Sequence, residues 1–548
     1  MKHSLILAVT LTAILWMAPP VRAQDPHEHG SPDPSQIGTV HFATSCAAAA
    51  QPDFDRAVAL LHSFWFGAAI DGFHGVLSKD PGCAMAWWGI AMAEWGNPFG
   101  GIRTTEALER GTAAVQEAEA MGAATDRERA YVAAIGELYR DFASTSQRSR
   151  IVAYERAMEG VHRAHPHDSE AAVFYALAVD QSAASEVPPD KTYAGRLAAG
   201  ALLEELFAEQ PDHPGIAHYI IHSYDVPALA SRALDAARSY ARIAPAAPHA
   251  LHMPSHTFTL AGLWQESIDT NTASAKVARE EDSVAEELHA MDYQAYAYLQ
   301  TCRDASASRM VEALPDAAER LDVKAAGGGA PGPAGLFALA AIPARYALER
   351  GKWDEAAMLS VRPTDFPPAD AVTRFARALG AARSGDTAAA TAEIAELEGL
   401  REVLEERKDD YWAGQVEIQR LVANAWLAEA GGRGEEAVEL LRSAAEMEDG
   451  TEKSAITPGP LAPARELLGE MLLAQDRPEE ALVEFEASLE KGPDRFRSLY
   501  GAGRAAELGG DLEKARLHYD ASRALCGEAD GPERPEVQQA RAMLERVR

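Results

Sequence analysis

Basic residues are scarce in this 548-residue chain. Lys and Arg together number 51 against 83 Asp and Glu, which gives a formal net charge of −32. Nucleic-acid binding relies on clustered Lys and Arg that contact phosphates, and docking on anionic lipid needs the same side chains. The composition therefore argues against a nucleic-acid partner and against docking on a charged membrane, whereas a cationic partner or a metal ion suits it.

Long hydrophobic runs are also missing, apart from one near the start. A basic start precedes an apolar run over residues 5–17, and Val21-Arg22-Ala23 follows as a small-residue cleavage site. This order is typical of a secretory signal peptide over residues 1–23, and the run is too short for a membrane span of roughly 20 residues. We predict a periplasmic or secreted protein with no membrane span.

Familiar catalytic motifs are absent. The sequence contains no H-E-x-x-H, no G-x-S-x-G, no Walker A motif and no paired C-x-x-C. A literal G-x-G-x-x-G occurs at residues 327–332, but no strand pattern precedes it and Pro331 interrupts it. It therefore does not indicate a dinucleotide site, and neither a hydrolase nor a redox mechanism has motif support.

Helical patterns dominate what is present. Ala-, Leu- and Glu-rich stretches with helical spacing recur, and residues 387–407 are one example. Such stretches contain few β-branched residues, and no alternating strand pattern stands out. The chain is therefore predicted to be all-α.

A six-residue phrase recurs along these helices. It reads Gly or Asp, two variable residues, an acidic or amide residue, Glu or Lys, then Ala or Ser. Its copies begin at Gly262, Gly351, Gly432, Asp476 and Gly510. A leading Gly supplies a helix stop with φ > 0, and the small last residue lets the second helix pack closely on the first. The phrase predicts a tight turn between antiparallel helices.

The residues around these turns resemble the tetratricopeptide repeat (TPR) family, whose repeat is 34 residues long. The matching residues are Gly469, Ala481, Phe485 and Pro493 in one repeat, and Gly503, Ala515 and Tyr519 in the next. The chain also looks like exported bacterial TPR-like proteins of unassigned function. The resemblance implies a TPR-like α-solenoid of antiparallel helix pairs, degenerate in the N-terminal half. It further implies an exported scaffold that binds a protein or peptide partner in its concave groove.

Composition divides the remainder of the chain. We expect a disordered N-terminus over residues 24–40, an N-terminal helical repeat region with a His-rich groove over 41–323, and a C-terminal TPR region over 336–548. Between the two repeat regions, Gly and Pro at 324–335 cannot sustain a helix and predict a flexible linker. A second loop is predicted at 451–463.

Two pairs of histidines stand one repeat length apart. His218 and His222 form H-x-x-x-H, and His252 and His256 form a second copy. A four-residue step on a helix turns about 400°, so both rings of a pair leave the same face. The TPR resemblance places all four at positions that line the groove.

This arrangement predicts a metal site as the sharper alternative to the scaffold, in a metal-binding protein or a metalloenzyme. Two imidazoles from each of two packed helices could converge on one transition metal ion, namely Zn, Cu, Ni or Fe, with Asp225 as a further ligand. A groove that recognises an acidic peptide or a small anion, and structural histidines of shared descent, remain as other interpretations. Pro254 bears on the choice, because it either kinks the helix that carries His252 and His256 or begins a new one.

Further polar residues are weaker metal-site candidates, for which an ordinary surface or capping role is the alternative. They are His62, Glu94, Asp180, His213, His249 and His289. A metal held by four His would be closed and structural, whereas three ligands plus water leave the open position that catalysis needs. The sequence does not distinguish these cases.

The four cysteines are too few for a disulfide scaffold. Cys46 and Cys83 lie near the starts of neighbouring repeats, so an exported chain could join them or bury them as thiols. The sequence assigns no partner to Cys302 or Cys526.

Overall fold

The computed structural model describes residues 36–186, 188–324 and 328–546. The predicted signal peptide and most of the predicted disordered N-terminus lie outside these residues. Within them every regular element is a helix and no strand occurs, which confirms the all-α prediction. None of these helices combines the length and the apolar character that crossing a membrane requires.

The N-terminal part packs as consecutive helix pairs joined by short turns. Side-chain caps define several of the helix starts; Thr125, for example, forms a capping box with Glu128. The helices are α1 Gln51–His62, α2 Phe66–Lys79, α3 Ala84–Trp95, α4 Thr105–Met121, α5 Asp126–Tyr139, α6 Gln147–Ala164, α7 Ser169–Ala184 and α8 Ala194–Glu209.

The middle of the chain contains shorter helices and more prolines. Pro214, Pro248 and Pro254 each occupy a first helical position, where a fixed φ and a missing N–H cost nothing. The helices are α9 Pro214–Ser223, α10 Leu234–Ile243, α11 Pro248–His252, α12 Pro254–Leu260, α13 Trp264–Glu280, α14 Val284–Gln300, α15 Asp304–Arg320 and α16 Gly332–Leu348, with a 3₁₀ turn Ala230–Ala233 before α10.

The C-terminal part returns to regular pairs. The predicted helix at 387–407 and the predicted loop at 451–463 are both confirmed. The helices are α17 Trp353–Ala357, α18 Pro367–Arg383, α19 Thr387–Glu406, α20 Asp410–Ala430, α21 Gly434–Asp449, α22 Ala464–Ala474, α23 Pro478–Lys491, α24 Phe496–Leu508, α25 Leu512–Leu525 and α26 Pro535–Arg546, with a 3₁₀ turn Cys526–Glu528.

The recurring six-residue phrase marks the turns between these helices, as predicted. The first residue of every copy has a positive φ, between 59° at Asp476 and 82° at Gly510. The small last residue of every copy is fully buried, and these residues are Ser267, Ala356, Ala437, Ala481 and Ala515. The phrase therefore combines a left-handed helix stop with a close helix contact.

The helices stack as a solenoid of the TPR-like type. Each helix packs on the next, and α14, α16, α18 and α20 also contact one another in succession. This next-but-one packing is the contact pattern of a helical repeat. The fold class predicted from the phrase and its period is confirmed.

The end of the solenoid folds back on its middle. The indole N–H of Trp264 on α13 donates to the carbonyl of Asp494, at 2.8 Å. Arg495, the next residue, donates from Nη1 to the hydroxyl of Tyr296 on α14, also at 2.8 Å. The concave side between the middle and the C-terminal repeats is therefore partly enclosed.

Both cysteine pairs are joined by disulfides. Cys46 and Cys83 are bonded, which agrees with the bridge considered from the sequence. Cys302 and Cys526 are also bonded, although 224 residues separate them. Only the return of the C-terminal end to α14 brings this second pair together.

The predicted flexible linker is wrong for its described part. Helix α16 begins at Gly332, the amide of Ala330 donates to Glu286 at 2.9 Å, and Asn97 donates to the carbonyl of Gly329 at 2.8 Å. Pro331 is the N-cap of α16. Residues 328–331 are therefore held in place, residues 332–335 belong to a helix, and α14 packs directly on α16.

The predicted disorder at residues 24–40 is also wrong where the structure describes it. Ile37 and Val40 are buried, and the amide of Thr39 donates to the carbonyl of Asp212 at 3.0 Å. Two apolar side chains are enough to fix this polar segment on the core, because their burial offsets the loss of chain entropy.

Candidate metal centre

Six buried histidines form two adjacent groups inside the solenoid. Each is at most 5% exposed. The first imidazole set is His218 and His222 from α9 with His249 from α11; the second imidazole set is His252 from α11, His256 from α12 and His289 from α14. Within each set the candidate ligand atoms lie within 4.8 Å of one another. The two sets meet at His249 and His252, whose ring centroids are 6.3 Å apart. The prediction that the four paired histidines converge on one ion is therefore wrong, because each pair belongs to a different set.

Pro254 does not separate the two histidines that flank it. Helix α11 ends at His252 and α12 begins at Pro254, but Met253 between them has helical angles, with φ −52° and ψ −36°. The backbone therefore continues with helical geometry, and the four-residue step keeps both rings on one face. The Nε2 atoms of His252 and His256 lie 3.1 Å apart.

A hydrogen bond to a backbone carbonyl orients one ring of the first imidazole set. Nδ1 of His218 donates to the carbonyl oxygen of His62, at 2.7 Å. Its Nε2 faces the Nε2 of His222 at 3.1 Å. Within the described part of the chain, neither ring nitrogen of His249 has a hydrogen-bond partner. Phe99 stacks on His222, with 4.2 Å between ring centroids, and helps to exclude water.

In the second set, hydrogen bonds fix the tautomers of two rings. Nδ1 of His252 lies 2.7 Å from Oδ1 of Asn271, whose own amide nitrogen is committed to the carbonyl of Ser267. Nδ1 of His256 lies 2.9 Å from a carboxylate oxygen of Asp225. Both acceptors require the proton on Nδ1, which leaves a lone pair on each Nε2. Two such lone pairs, facing at hydrogen-bond distance, repel unless a cation contacts both.

His289 completes the second set from the next helix. Its ring centroid lies 4.3 Å from that of His252 and 6.1 Å from that of His256. Its Nδ1 is buried and makes no hydrogen bond to any described residue. Tyr293, one turn further along α14, stacks on His256 with centroids 4.9 Å apart. The set therefore offers three nitrogen donors with little freedom to turn.

Burial favours the neutral form of these rings. It is the main cause that lowers the pKa of His252 to about 4, and neighbouring His249 lowers it further. Burial likewise holds the pKa well below the ordinary range for His218, His222, His256 and His289. For His256 the next cause is the ammonium group of Lys453. A neutral imidazole is the form that binds a metal ion.

Asp225 lies behind His256 rather than among the ring nitrogens. Helix α9 ends at Ser223, so the chain turns and directs the carboxylate of Asp225 to α12. Lys453, from the loop at 451–463, approaches the same carboxylate at 3.0 Å and Nδ1 of His256 at 3.4 Å. The side chains of Asp225 and Lys453 are each about 9% exposed. Asp225, predicted from the sequence as a metal ligand, is therefore a hydrogen-bond partner of His256 instead.

A third buried group, His62 with Glu170 and His213, has a different character. Nδ1 of His213 accepts from the amide of Ile216, so its Nε2 donates to Glu170 at 2.8 Å. His62 contacts Glu170 through Nε2 at 2.9 Å and the hydroxyl of Tyr219 through Nδ1 at 2.9 Å. Every ring nitrogen has a partner, so these groups form a satisfied hydrogen-bond network that fixes the carbonyl to which His218 donates.

The remaining candidates lie outside the two sets. Glu94 forms an ion pair with Arg110 at 2.8 Å. Asp180 is fully buried on α7, and burial raises its pKa to about 6. Neither belongs to a group of potential ligands in the described structure.

The groove positions expected for the four paired histidines are wrong. His218, His222, His252 and His256 are enclosed rather than open to a concave surface. Side chains that the ideal repeat pattern does not predict at this position cover the imidazole rings. They include Phe99, which follows α3, and Tyr293 on α14. An enclosed position suits an ion better than a peptide, since a peptide needs an accessible groove.

The sequence gives no indication of two polar residues that contact the imidazole rings of the site. Asn271 lies 19 residues from His252, and Lys453 lies 197 residues from His256. Neither belongs to a repeated spacing or to a motif. Only the packing of α13 and of the loop at 451–463 brings them to the imidazoles.

No protein-family model matches this sequence, and no curated protein matches it. Among solved structures, a monomeric mutant of IFIT1 with m7Gppp-AAAA is similar at 13% identity, over 85% of this chain and 90% of that chain, with a TM-score of 0.36. Similarity at this level indicates neither a family nor a ligand. The absence of a nucleic-acid partner stays a prediction from the net charge.

Proposed function

We propose that this protein binds two transition-metal ions, one in each imidazole set. The supporting observation is the pair of Nε2 atoms of His252 and His256, which lie 3.1 Å apart with both ring protons committed elsewhere. An ion in contact with both nitrogens replaces the repulsion of two lone pairs by two coordinate bonds. His218 and His222 repeat the short Nε2 contact in the first set.

The surroundings of the rings support the same proposal. Metal-binding histidines commonly donate their other N–H to a carboxylate, a carbonyl or an amide oxygen, which fixes the ring. Asp225, the His62 carbonyl and Asn271 supply one acceptor of each kind. His249, whose Nδ1 lies 3.7 Å from a carboxylate oxygen of Glu286, and His289 add buried ring nitrogens without a hydrogen-bond partner among the described residues.

The ligand count is compatible with catalysis. Three imidazoles hold an ion and leave one position for water or a substrate, as in catalytic rather than structural sites. We therefore extend the proposal from a metal-binding protein to a metalloenzyme. Imidazole accepts Zn, Cu, Ni and Fe alike, so the identity of the metal is a matter for measurement.

Elemental analysis of the untagged protein tests the proposal directly. The protein is stripped with a chelator, reconstituted separately with each of the four metals and freed of excess ion. We expect two equivalents of at least one metal per chain. Less than about a tenth of an equivalent of every metal, before and after reconstitution, contradicts the proposal, since a built site retains its ion through such a procedure.

Single substitutions assign the ions to the two sets. His222→Ala should remove the ion of the first set, and His256→Ala that of the second, each leaving one equivalent. His74→Ala, at an exposed ring on α2, serves as the matched control and should keep both. Circular dichroism of each apo variant separates loss of a ligand from loss of the fold. Full metal content in both site variants rejects the assignment.

A scaffold for a protein partner is the second candidate function. Val483 on α23 and Leu517 on α25 are 62% and 65% exposed. They stand 34 residues apart and occupy equivalent positions of neighbouring repeats, and repeat proteins bind partners through surfaces built from such equivalent positions. A partner recovered by wild type but lost with Val483→Glu/Leu517→Glu supports this role. Equal recovery by both proteins counts against this surface.

Export is proposed from the pattern of residues 1–23. The two disulfides of the fold support it, because such bonds persist in oxidising compartments. Mass spectrometry of the mature protein from its native source tests this proposal. A mature chain that begins at Gln24 supports export, and an intact N-terminus in a cytoplasmic fraction contradicts it.

A further inference from the structure

A cavity of about 410 Å³ lies between the middle of the solenoid and its C-terminal repeats. Its walls come from α13, α14, α16 and α20, and the loop at 451–463 closes one side. A space of this size holds a small organic molecule. It results from the folding back of the C-terminal end, which places Arg495 against Tyr296.

Aromatic rings supply much of the wall. They come from separate elements and comprise Tyr193, Trp264, Tyr296, Phe337, Tyr411 and Trp412. Ring faces and edges pack favourably against flat or apolar ligands, and they also attract an organic cation by the cation–π effect. The walls are therefore suited to an apolar body and compatible with positive charge.

The basic side chains of the wall are already paired. Lys191 contacts Glu452 at 2.7 Å, and Lys453 contacts Asp225 at 3.0 Å. Arg465 and Lys491 both contact one carboxylate, that of Asp449, at 2.5 and 2.6 Å. Arg495 is likewise bonded to Glu466, at 2.8 Å. Each of these cations is therefore already partly neutralised by a carboxylate of the protein.

Two carboxylates of the wall have no ion pair within the described part of the chain: Glu490, which is exposed, and Glu448, which is half-buried. The carboxylate of Glu448 accepts one hydrogen bond, from the amide of Ala464 at 2.9 Å. Lys491 and Arg495 lower the pKa of Glu448 only through longer-range Coulomb interactions. The close ion pair of Lys491 is with Asp449, and that of Arg495 is with Glu466. Burial raises the pKa of Glu448 to about 7, as expected for a carboxylate that lacks an adequate counter-charge.

We infer that this cavity binds an organic amine, with the ammonium group against Glu448 and an aromatic or apolar body between the rings. The ligand supplies the positive charge that no described side chain gives Glu448 at contact distance. Small-molecule sites typically combine apolar walls with a few polar or charged groups, and those groups fix the orientation of the ligand.

The amine site is separate from the metal centre and does not depend on it. None of the six histidines lines the cavity, whereas Lys453 lines it and also contacts Asp225 beside His256. Helix α14 connects the two regions, since it carries His289 toward the second set and Tyr296 into the cavity wall. Binding of an amine in the cavity can therefore be measured on the metal-free protein.

Calorimetric titration at about pH 8, where Glu448 is largely ionised, tests the inference. The probes are phenethylamine, phenethyl alcohol and hydrocinnamate, which share one body and differ in charge. We expect the amine to bind and the acid to bind at least about tenfold more weakly, because only the amine can pair with the carboxylate. Equal affinities, or no binding of the amine at millimolar concentration, overturn the inference.

Variants locate the site. Glu448→Gln should weaken the amine about tenfold or more and leave the alcohol nearly unchanged, whereas Glu446→Gln, at an exposed neighbour on α21, should change neither. Ala228→Trp, at the exposed rim of the cavity, should narrow the entrance and weaken all three probes, which tests the site independently of the carboxylate. Wild-type amine affinity in Glu448→Gln rejects the inference. Metal content, measured on the same samples, reports separately on the metal proposal.

Discussion

The orientation of single imidazoles depends on the atoms behind them. His218, His252 and His256 each use Nδ1 for a hydrogen bond, and each directs Nε2 toward a neighbouring ring. The acceptors differ in charge, because Asp225 is a carboxylate and the other two are neutral. A carboxylate raises the basicity of the ring that it holds, so Asp225 should matter more for binding an ion than for placing the ring.

Asp225→Asn keeps the shape of this side chain but removes its charge. We expect the second set to bind metal about 10–100-fold more weakly, because the outer partner of a ligating His contributes about that much to affinity. The ammonium of Lys453 would then act on His256 without its neutralising carboxylate. Competition against a chelator of known affinity measures the change.

A matched substitution serves as the control for Asp225→Asn. Asp269 is exposed on α13 and accepts only from Gln265, so Asp269→Asn should leave both affinities unchanged. An unchanged second-set affinity in Asp225→Asn would mean that the carboxylate is a structural group alone.

Helices of different repeats are joined by buried ion pairs as well as by apolar contacts. Glu470 on α22 pairs with Arg383 at the end of α18, at 2.5 Å, and also contacts Arg497 on α24. Burial alone would raise the pKa of Glu470, but the two guanidinium groups outweigh it and lower the pKa from 4.5 to about 2. The charged form of one side chain therefore connects three helices.

The depressed pKa of Glu470 predicts an acid-dependent loss of stability. Because the folded pKa lies below the unfolded value of 4.5, the contribution is full above about pH 4.5 and disappears as pH falls toward 2. A shift of this size corresponds to about 3 kcal/mol. Urea unfolding from pH 7 to pH 2 measures it.

Glu470→Gln should lower stability at neutral pH by about 3 kcal/mol, since it leaves two half-buried guanidinium groups without their anion. Its stability should also fall less steeply below pH 4.5 than that of wild type. Glu513→Gln, at an exposed position on α25, is the control. Parallel pH profiles for wild type and Glu470→Gln would exclude this carboxylate as the cause.

At the scale of the whole molecule, the C-terminal end of the solenoid partly closes it. Hydrogen bonds from Trp264 and Arg495 join α13 and α14 to the segment before α24. The disulfide between Cys302 and Cys526 joins the same two regions. This partial closure produces the cavity and encloses part of the groove that a simple repeat would offer.

Removal of this disulfide should loosen the C-terminal end first. Cys302→Ser/Cys526→Ser should cost about 2–5 kcal/mol, because the bond restricts a long loop in the unfolded chain. Hydrogen exchange should increase in α24 to α26 and in the cavity wall, and phenethylamine should bind more weakly.

The other disulfide provides the comparison. Cys46→Ser/Cys83→Ser should increase exchange near α1 and α3 and leave the C-terminal end protected. If both double variants gave the same exchange pattern, the Cys302–Cys526 bond would not be what holds the end in place.

The sequence by itself determined the local structure and the pairing of four histidines. Helical spacing, the positive-φ turn at each phrase and the four-residue step in each H-x-x-x-H depend on residues close along the chain. These short-range rules hold whatever packs outside them, which is why the helices and the shared face of each histidine pair were predictable, whereas the solenoid was implied by the TPR resemblance.

Only the tertiary structure decided how those pieces became a site. It joined His249 and His289 to the pairs, placed Asn271 and Lys453 behind the rings and enclosed the expected groove. It also fixed residues 328–335 on α14, where composition alone indicated a linker. Such contacts depend on the angles at which distant helices meet, and side-chain packing summed over the whole chain sets those angles.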